Sequence, residues 1–160
     1  MPVYATWDRN CTHDGTYAFS NGDRDFSPNG SGRMARGTLG TFTAPKCYWE
    51  QSLLYDGTST YCEWGLGYAQ CSPFSPTDRY CFRNNYLWHN GNLISGSGCG
   101  SLAGLDIVGI AVEDTGIGVK VWFRVNGAWC SGDPAAGTDP SLTLSSAQEW
   151  FPMCKSQYLW

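Results

Sequence analysis

The sequence predicts an all-β fold, a sandwich of two antiparallel sheets, and three observations carry that prediction. Short runs of β-branched and aromatic residues recur between clusters of Gly, Asn, Asp, Ser and Pro. No stretch of useful length before the C-terminus repeats its apolar residues at helical spacing. Asn-Gly pairs stand at 21–22, 29–30, 90–91 and 126–127, and both positions of such a pair tolerate the positive φ that a two-residue hairpin turn requires. A barrel is the alternative way to close so many short strands.

Thr16 to Ser20 (TYAFS) reads as a strand that ends at Asn21-Gly22. Arg36 to Phe42 (RGTLGTF) reads as another, and Cys47 to Leu54 (CYWEQSLL) follows Pro45. Glu63 to Ala69 (EWGLGYA) is a strand containing glycine, which marks a place where a neighbouring backbone passes close. Tyr80 to Arg83 and Tyr86 to His89 flank Asn84-Asn85, which reads as a hairpin turn. Gly91 to Gly104 (GNLISGSGCGSLAG) reads as the most flexible segment, and Gly132 to Ser141 (GDPAAGTDPS) as a second loop. Ile107 to Glu113 is an almost unbroken apolar run, expected to be buried on both faces. Along the next strand, Val119, Val121, Phe123 and Val125 share one face, and Lys120, Trp122 and Arg124 share the other. Trp122 sits mid-strand and is assigned to the core or the inter-sheet space. No linker or repeat divides the 160 residues, so a single domain over 1–160 is expected.

Composition narrows the function. Aromatic residues match charged ones at 15% each, an unusual balance for an ordinary cytosolic enzyme. A net charge of −4, a pI near 4.9 and the lack of any basic run argue against nucleic acid as a partner. The longest nearly apolar run, Ile107 to Val112, is too short to cross a bilayer. The opening MPVYATWDRN lacks the charged-then-apolar pattern of a leader. With Met1 as the start, the chain is expected to be made in a cytoplasm without a cleaved signal; a virion protein released by lysis meets that condition. Eight cysteines (Cys11, Cys47, Cys62, Cys71, Cys81, Cys99, Cys130 and Cys154) allow either a disulfide framework or buried free thiols. There is no CxxC pair, and His13 and His89 stand alone, so neither a metal site nor a cofactor is expected.

The sequence holds no catalytic pattern. No E-x-D-x-x-E places carboxylates on one strand face as a retaining glycosidase of lectin-like fold needs, and Glu113-Asp114 read as turn residues. There is no G-x-S-x-G elbow, and Gly96-Ser97-Gly98 lacks the lysine of a phosphate loop. The sequons at Asn10 and Asn29 are read as chance. An enzyme is therefore not expected. Binding residues are expected instead in Arg79 to Asn92 (RYCFRNNYLWHNGN), where aromatic faces suit sugar rings and Asn, Asp and Arg give directional bonds to hydroxyls. Tyr80, Arg83, Tyr86, Trp88 and His89 are the candidates, although strand alternation turns about half of such a set inward. Trp129 and Asp133, just beyond the Asn126-Gly127 turn, are the second set.

Several segments resemble a known family in order. ATWDRN, TYAFSNGDRDF and RMARGTLGTFTAPKCYWEQS are similar to the opening of SPRY-like domains, with Lys46, Tyr48, Trp49 and Glu50 matching a K-x-Y-[FW]-E strand. LDIVGIAVEDTGIGVKVWFRVNGAW resembles the family's D-x-V-G-[IV]-A strand and V-x-[FW]-x-x-N-G hairpin, carried by Asp106, Val108, Gly109, Trp122, Asn126 and Gly127. The tail resembles the phage-associated branch through its G-x-P-A-x-G-T-x-P loop before a W-[FY]-P segment. The resemblance spans roughly 4–155 and implies a bent, concanavalin-like sandwich. SPRY-like domains are generally binding modules, and phage-associated ones sit in fibres, tail proteins or capsid decoration proteins.

The expected function is a non-enzymatic virion module of that kind, contacting a host surface glycan or receptor. Its expected partners are other virion proteins and further copies of itself, with no nucleic acid and no membrane insertion. A cytosolic SPRY module reading a short peptide is the alternative, and a carbohydrate-active enzyme the third reading.

Overall fold

The computed structural model describes residues 6–12, 17–20, 22, 25–28, 33–42, 44–52, 63–68, 79–83, 86–90, 92–96, 98–100, 102 and 106–156. Among these described residues there are fourteen strands and no helix. In chain order they are β1 (Trp7–Thr12), β2 (Tyr17–Ser20), β3 (Asp25–Pro28), β4 (Arg33–Gly37), β5 (Lys46–Ser52), β6 (Glu63–Tyr68) and β7 (Arg79–Arg83). Then come β8 (Tyr86–His89), β9 (Asn92–Gly96), β10 (Ile107–Asp114), β11 (Val119–Val125), β12 (Ala128–Trp129), β13 (Leu142–Leu144) and β14 (Trp150–Ser156). One seven-stranded sheet runs β1-β4-β14-β6-β7-β8-β9. A five-stranded sheet runs β12-β11-β10-β5, with β13 added beside β11. β2 and β3 form a separate hairpin. All pairings are antiparallel.

Period-2 alternation builds the core between the two large sheets. Trp64, Leu66, Phe82, Leu87 and Trp150 come from the seven-stranded sheet. Val108, Ile110, Val112, Val119, Val121 and Phe123 come from the five-stranded one. Phe82 and Phe123 meet with ring centroids 5.7 Å apart, closing the space between sheets. β10 is buried on both faces from Val108 to Val112, as its apolar run predicts. The Asn126-Gly127 turn forms as expected, with φ of 47° and 89°; Asn126 also holds the strand entry through Ile107 N to Oδ1 and Nδ2 to Asp106 Oδ1.

Two expectations change. The strand read over Arg36 to Phe42 ends at Gly37, because Thr41 folds back onto β14: its amide donates to Trp150 O and its hydroxyl accepts from Trp150 N. The segment 91–104 is not loop throughout, since β9 forms a hairpin with β8 through Asn90 at φ 53°. Leu93 and Ile94 are too short an apolar run to stand out among glycines. The Asn84-Asn85 turn, Asn21, Gly91 and the Asn29 sequon lie outside the described residues.

Cys99 and Cys130 form a disulfide that ties the segment after β9 to the end of β12. Cys47 is a free thiol whose burial pushes its pKa up to about 11. Below the ordinary thiol value of 9.0 both folded and unfolded chains keep the proton. Between there and about 11 only the unfolded chain releases it, so stability falls as pH rises. Urea midpoints are expected to drop between pH 9 and 11 in the wild type and to drop less in Cys47→Ala.

Candidate binding cleft

The outer face of the five-stranded sheet is assembled by register. Three cross-strand rows run over β5, β10 and β11: Lys46–Glu113–Lys120, Tyr48–Ala111–Trp122, and Glu50–Gly109–Arg124. Trp129 of β12 extends the third row beside Arg124. Each row has a distinct task.

The first row is an ionic rim. Lys46 Nζ lies 2.7 Å from Glu113 Oε1. The Lys46 hydrogen bond, aided by the charges of Lys46 and Lys120, holds the Glu113 carboxyl below its usual range. Lys120 Nζ donates to Gly137 O at 2.8 Å. The second row is the floor. Ala111 keeps it low, and Trp122, fully buried, donates from Nε1 to Thr138 O at 2.8 Å. The third row is polar and aromatic. A side chain at Gly109 would strike the Tyr48 ring, so glycine there lets the tyrosine lie across the sheet. The Tyr48 hydroxyl donates to Glu50 Oε1 and accepts from Arg124 Nη1 at 3.2 Å. Burial, then the Glu50 bond, raises the phenol's pKa, so it stays a donor at neutral pH. Arg124 stacks over Trp129 with Cζ 5.5 Å from the ring centre, and Tyr48 meets Trp129 edge-on at 6.0 Å.

The loop from Cys130 to Ser141 covers Trp122 and walls the site. It is stitched rather than slack. Asp133 and Thr138 form a bridge, Asp133 Oδ1 accepts from Ala135 N, and the Ser131 and Ser141 hydroxyls lie 2.7 Å apart. Gly132 is at φ 52°, where a Cβ would meet the Thr138 and Asp139 carbonyls. Together these place Pro134 and Ala135 opposite Tyr48 and Trp129. The result is an open cleft of about 360 Å³, floored by Ala111 and Trp122 and walled by Tyr48, Trp129, Pro134 and Ala135.

The structure distributes the sequence-derived candidates over two places. Trp129 lines the cleft, and Asp133 organises the loop that walls it. Tyr80 stacks on His89 with centroids 4.1 Å apart and meets Trp150 edge-on at the core margin. Arg83 lies over the Trp88 ring at 5.2 Å and reaches the buried Glu63, while Trp88 Nε1 donates to Arg83 O. Tyr86 is exposed at the same hairpin. These five stand on β7 and β8 of the other sheet, so they do not join Trp129. Trp122 is buried, as expected, but on the outer face of its sheet beneath the loop and not between the sheets. Tyr48 and Glu113 line the cleft, with Glu50 and Arg124 bonded to the Tyr48 hydroxyl beside it, and none of the four carries a binding signature in the sequence. The alternation of KCYWEQS, which puts Lys46, Tyr48 and Glu50 on one face, was the available signal.

Two antiparallel sheets around one shared core, with a loop-walled cleft on an outer face, make a β-sandwich. Among solved structures the chain is similar to the SPRY domain of human HERC1, with a TM-score of 0.64 over 95% of this chain and 91% of that one. Sequence identity is 16%, so the likeness concerns the fold. No family model matches the chain, and no curated protein matches it.

Proposed function

We propose that this chain is a non-catalytic recognition module that binds a host surface glycan through the cleft over Ala111 and Trp122, as a fibre, tail or decoration protein of a phage virion. The binding reading rests on one observation: ring faces and fixed polar groups converge in one open cleft. Trp129 and Tyr48 offer aromatic surface to a sugar ring, and the Tyr48 hydroxyl, fixed from outside the cleft by Glu50 and Arg124, offers a directional bond to a sugar hydroxyl. Both carboxylates stand beside cations, Glu113 with Lys46 and Glu50 with Arg124, which favours a neutral ligand over a strongly charged one.

Hydrolysis of a glycan would need a carboxylic acid that keeps its proton near neutral pH. Glu113 is shifted the opposite way by Lys46, which supports binding without turnover. The virion placement is supported by the loop that resembles the phage-associated branch, the same loop that walls the cleft. The Cys99–Cys130 disulfide favours a final location outside a reducing cytosol and so weighs against the peptide-reading alternative.

Two experiments test the two halves. Retention on an array of bacterial surface polysaccharides, without turnover, is expected for the binding half; retention by none would contradict it. Cryo-electron microscopy of the purified particle is expected to show this fold on the capsid or tail. Absence of the chain from purified particles would overturn the virion placement.

A further inference from the structure

The Cys99–Cys130 disulfide joins the two large sheets at their edges. Cys99 follows β9, an edge strand of the seven-stranded sheet, and Cys130 follows β12, an edge strand of the five-stranded one. Cys130 N donates to Phe123 O at 2.9 Å, which carries the ladder with β11 one residue past Trp129. Strand alternation then sets these two neighbours on opposite faces. Trp129 points outward into the cleft wall, and Cys130 points inward, packed with Cys99 against the core. Gly98, at φ 77°, lies where a Cβ would strike the Cys130 carbonyl oxygen, so the segment around Cys99 rests directly on the end of β12.

A strand as short as β12 needs such an anchor. It has two residues, paired to β11 at Arg124–Trp129 and Val125–Ala128. From Cys130 the chain enters the loop that walls the cleft. Two stitches, Asp133 to Thr138 and Ser131 to Ser141, join that loop to itself, while Trp122 Nε1 and Lys120 Nζ hold its far half at Thr138 and Gly137. The disulfide fixes its start. We infer that this bond is a redox lock on the cleft: the oxidised pair holds Trp129 and the loop in their binding geometry, and the dithiol releases them. A small-molecule thiol–disulfide couple such as glutathione operates the lock. On reduction one thiolate attacks a sulfur of the pair, the S–S bond breaks, and a second thiolate resolves the mixed disulfide. Cys99 and Cys130 gain two electrons and two protons, and the reductant leaves as its own disulfide; oxidation reverses each step. Both cysteines are half-buried rather than sealed in the core. The inference rests on the cleft being a recognition site, and it adds that the cleft locks once the chain has left a reducing cytosol.

Amide hydrogen exchange with and without dithiothreitol tests the lock in the absence of any glycan. Reduction is expected to speed exchange at the bonded amides of Cys130, Asp133 and Thr138 on the order of fivefold or more, while the amides of β10 and β11 keep their protection. Cys99→Ser without reductant is expected to match the reduced wild type, which separates this bond from the other cysteines. Loop exchange unchanged by reduction, in protein whose Cys99 and Cys130 are shown by alkylation to be free thiols, would overturn the inference. So would a Cys99→Ser loop as protected as the oxidised wild type, or an equal rise in exchange across β10 and β11, which would make the bond a staple of the whole fold. On the polysaccharide array, retention of the wild type is expected to fall by a similar factor on reduction, and equal retention in both states would also overturn the lock. Retention on no polysaccharide in either state, with loop exchange still dependent on redox state, would contradict the function proposed above and not the lock.

Discussion

Replacing Glu63 by leucine is expected to destabilise the fold by about 3–5 kcal/mol, the largest single effect anticipated here. Glu63 is only 2% exposed at the start of β6. Its Oε2 lies 3.2 Å from Arg79 Nε and its Oε1 3.7 Å from Arg83 Nη1, both guanidiniums standing on the neighbouring β7. Leucine fills much the same volume but removes the carboxylate from between two half-buried guanidiniums. That desolvated repulsion, more than any lost attraction, sets the size of the effect. The diagnostic result is a rescue: Arg79→Leu and Arg83→Met placed on top of Glu63→Leu are expected to recover most of the loss in urea denaturation. A full loss that persists in the triple variant would show that the three groups do not act as one unit.

Gly65→Ala is expected to cost about 3 kcal/mol. A methyl group there would run into the Tyr80 carbonyl oxygen and the Cys81 Cα of β7, which are backbone atoms and cannot swing aside. The register that brings them close, Gly65 opposite Cys81, is shared by β6, β7 and β14 in the centre of the seven-stranded sheet. Gly67 is the control. Its added Cβ would sit 3.3 Å from the Met153 sulfur, at the end of a flexible side chain, so Gly67→Ala is expected to cost less than about 1 kcal/mol. Thermal melts of the two variants check the contrast, and equal losses would contradict the steric account.

Local patterns were legible in the sequence, and cross-strand register was not. The Val119–Val125 alternation, the Asn126-Gly127 turn and the doubly buried β10 all arise from residues close together in the chain. Gly65 of β6 correctly marked a close backbone approach, since a strand needs glycine where its neighbour leaves no room for Cβ. The cleft was different. Its parts come from β5, β10, β11, β12 and the loop after it, and only the pairing of Tyr48 with Ala111 and of Ala111 with Trp122 brings them together. Trp129 could be found because it lies directly after the turn. Tyr48 could not be told from a packing aromatic without knowing that Gly109 lies beneath it. Trp122 illustrates the same limit, because alternation put it on the outer face but could not reveal the loop that buries it there.

The sandwich explains how the proposed site is held on that outer face. The pairing of β5, β10 and β11 fixes the three rows of side chains to one another, and the stitched loop after β12 holds the wall above them.

The central claim is that this cleft is where the protein meets its ligand. The most direct measurement is retention of the wild type and of Trp129→Ala, side by side, on the same array of bacterial surface polysaccharides. Trp129 is half-buried on the outer face and outside the core cluster, so its removal is expected to leave the core intact. Retention of the wild type with a loss on the order of tenfold or more in the variant is the predicted result, the usual scale for an aromatic anchor. Retention of Trp129→Ala equal to the wild type, in a variant shown to melt normally, would contradict the account and move the binding site elsewhere on the sandwich.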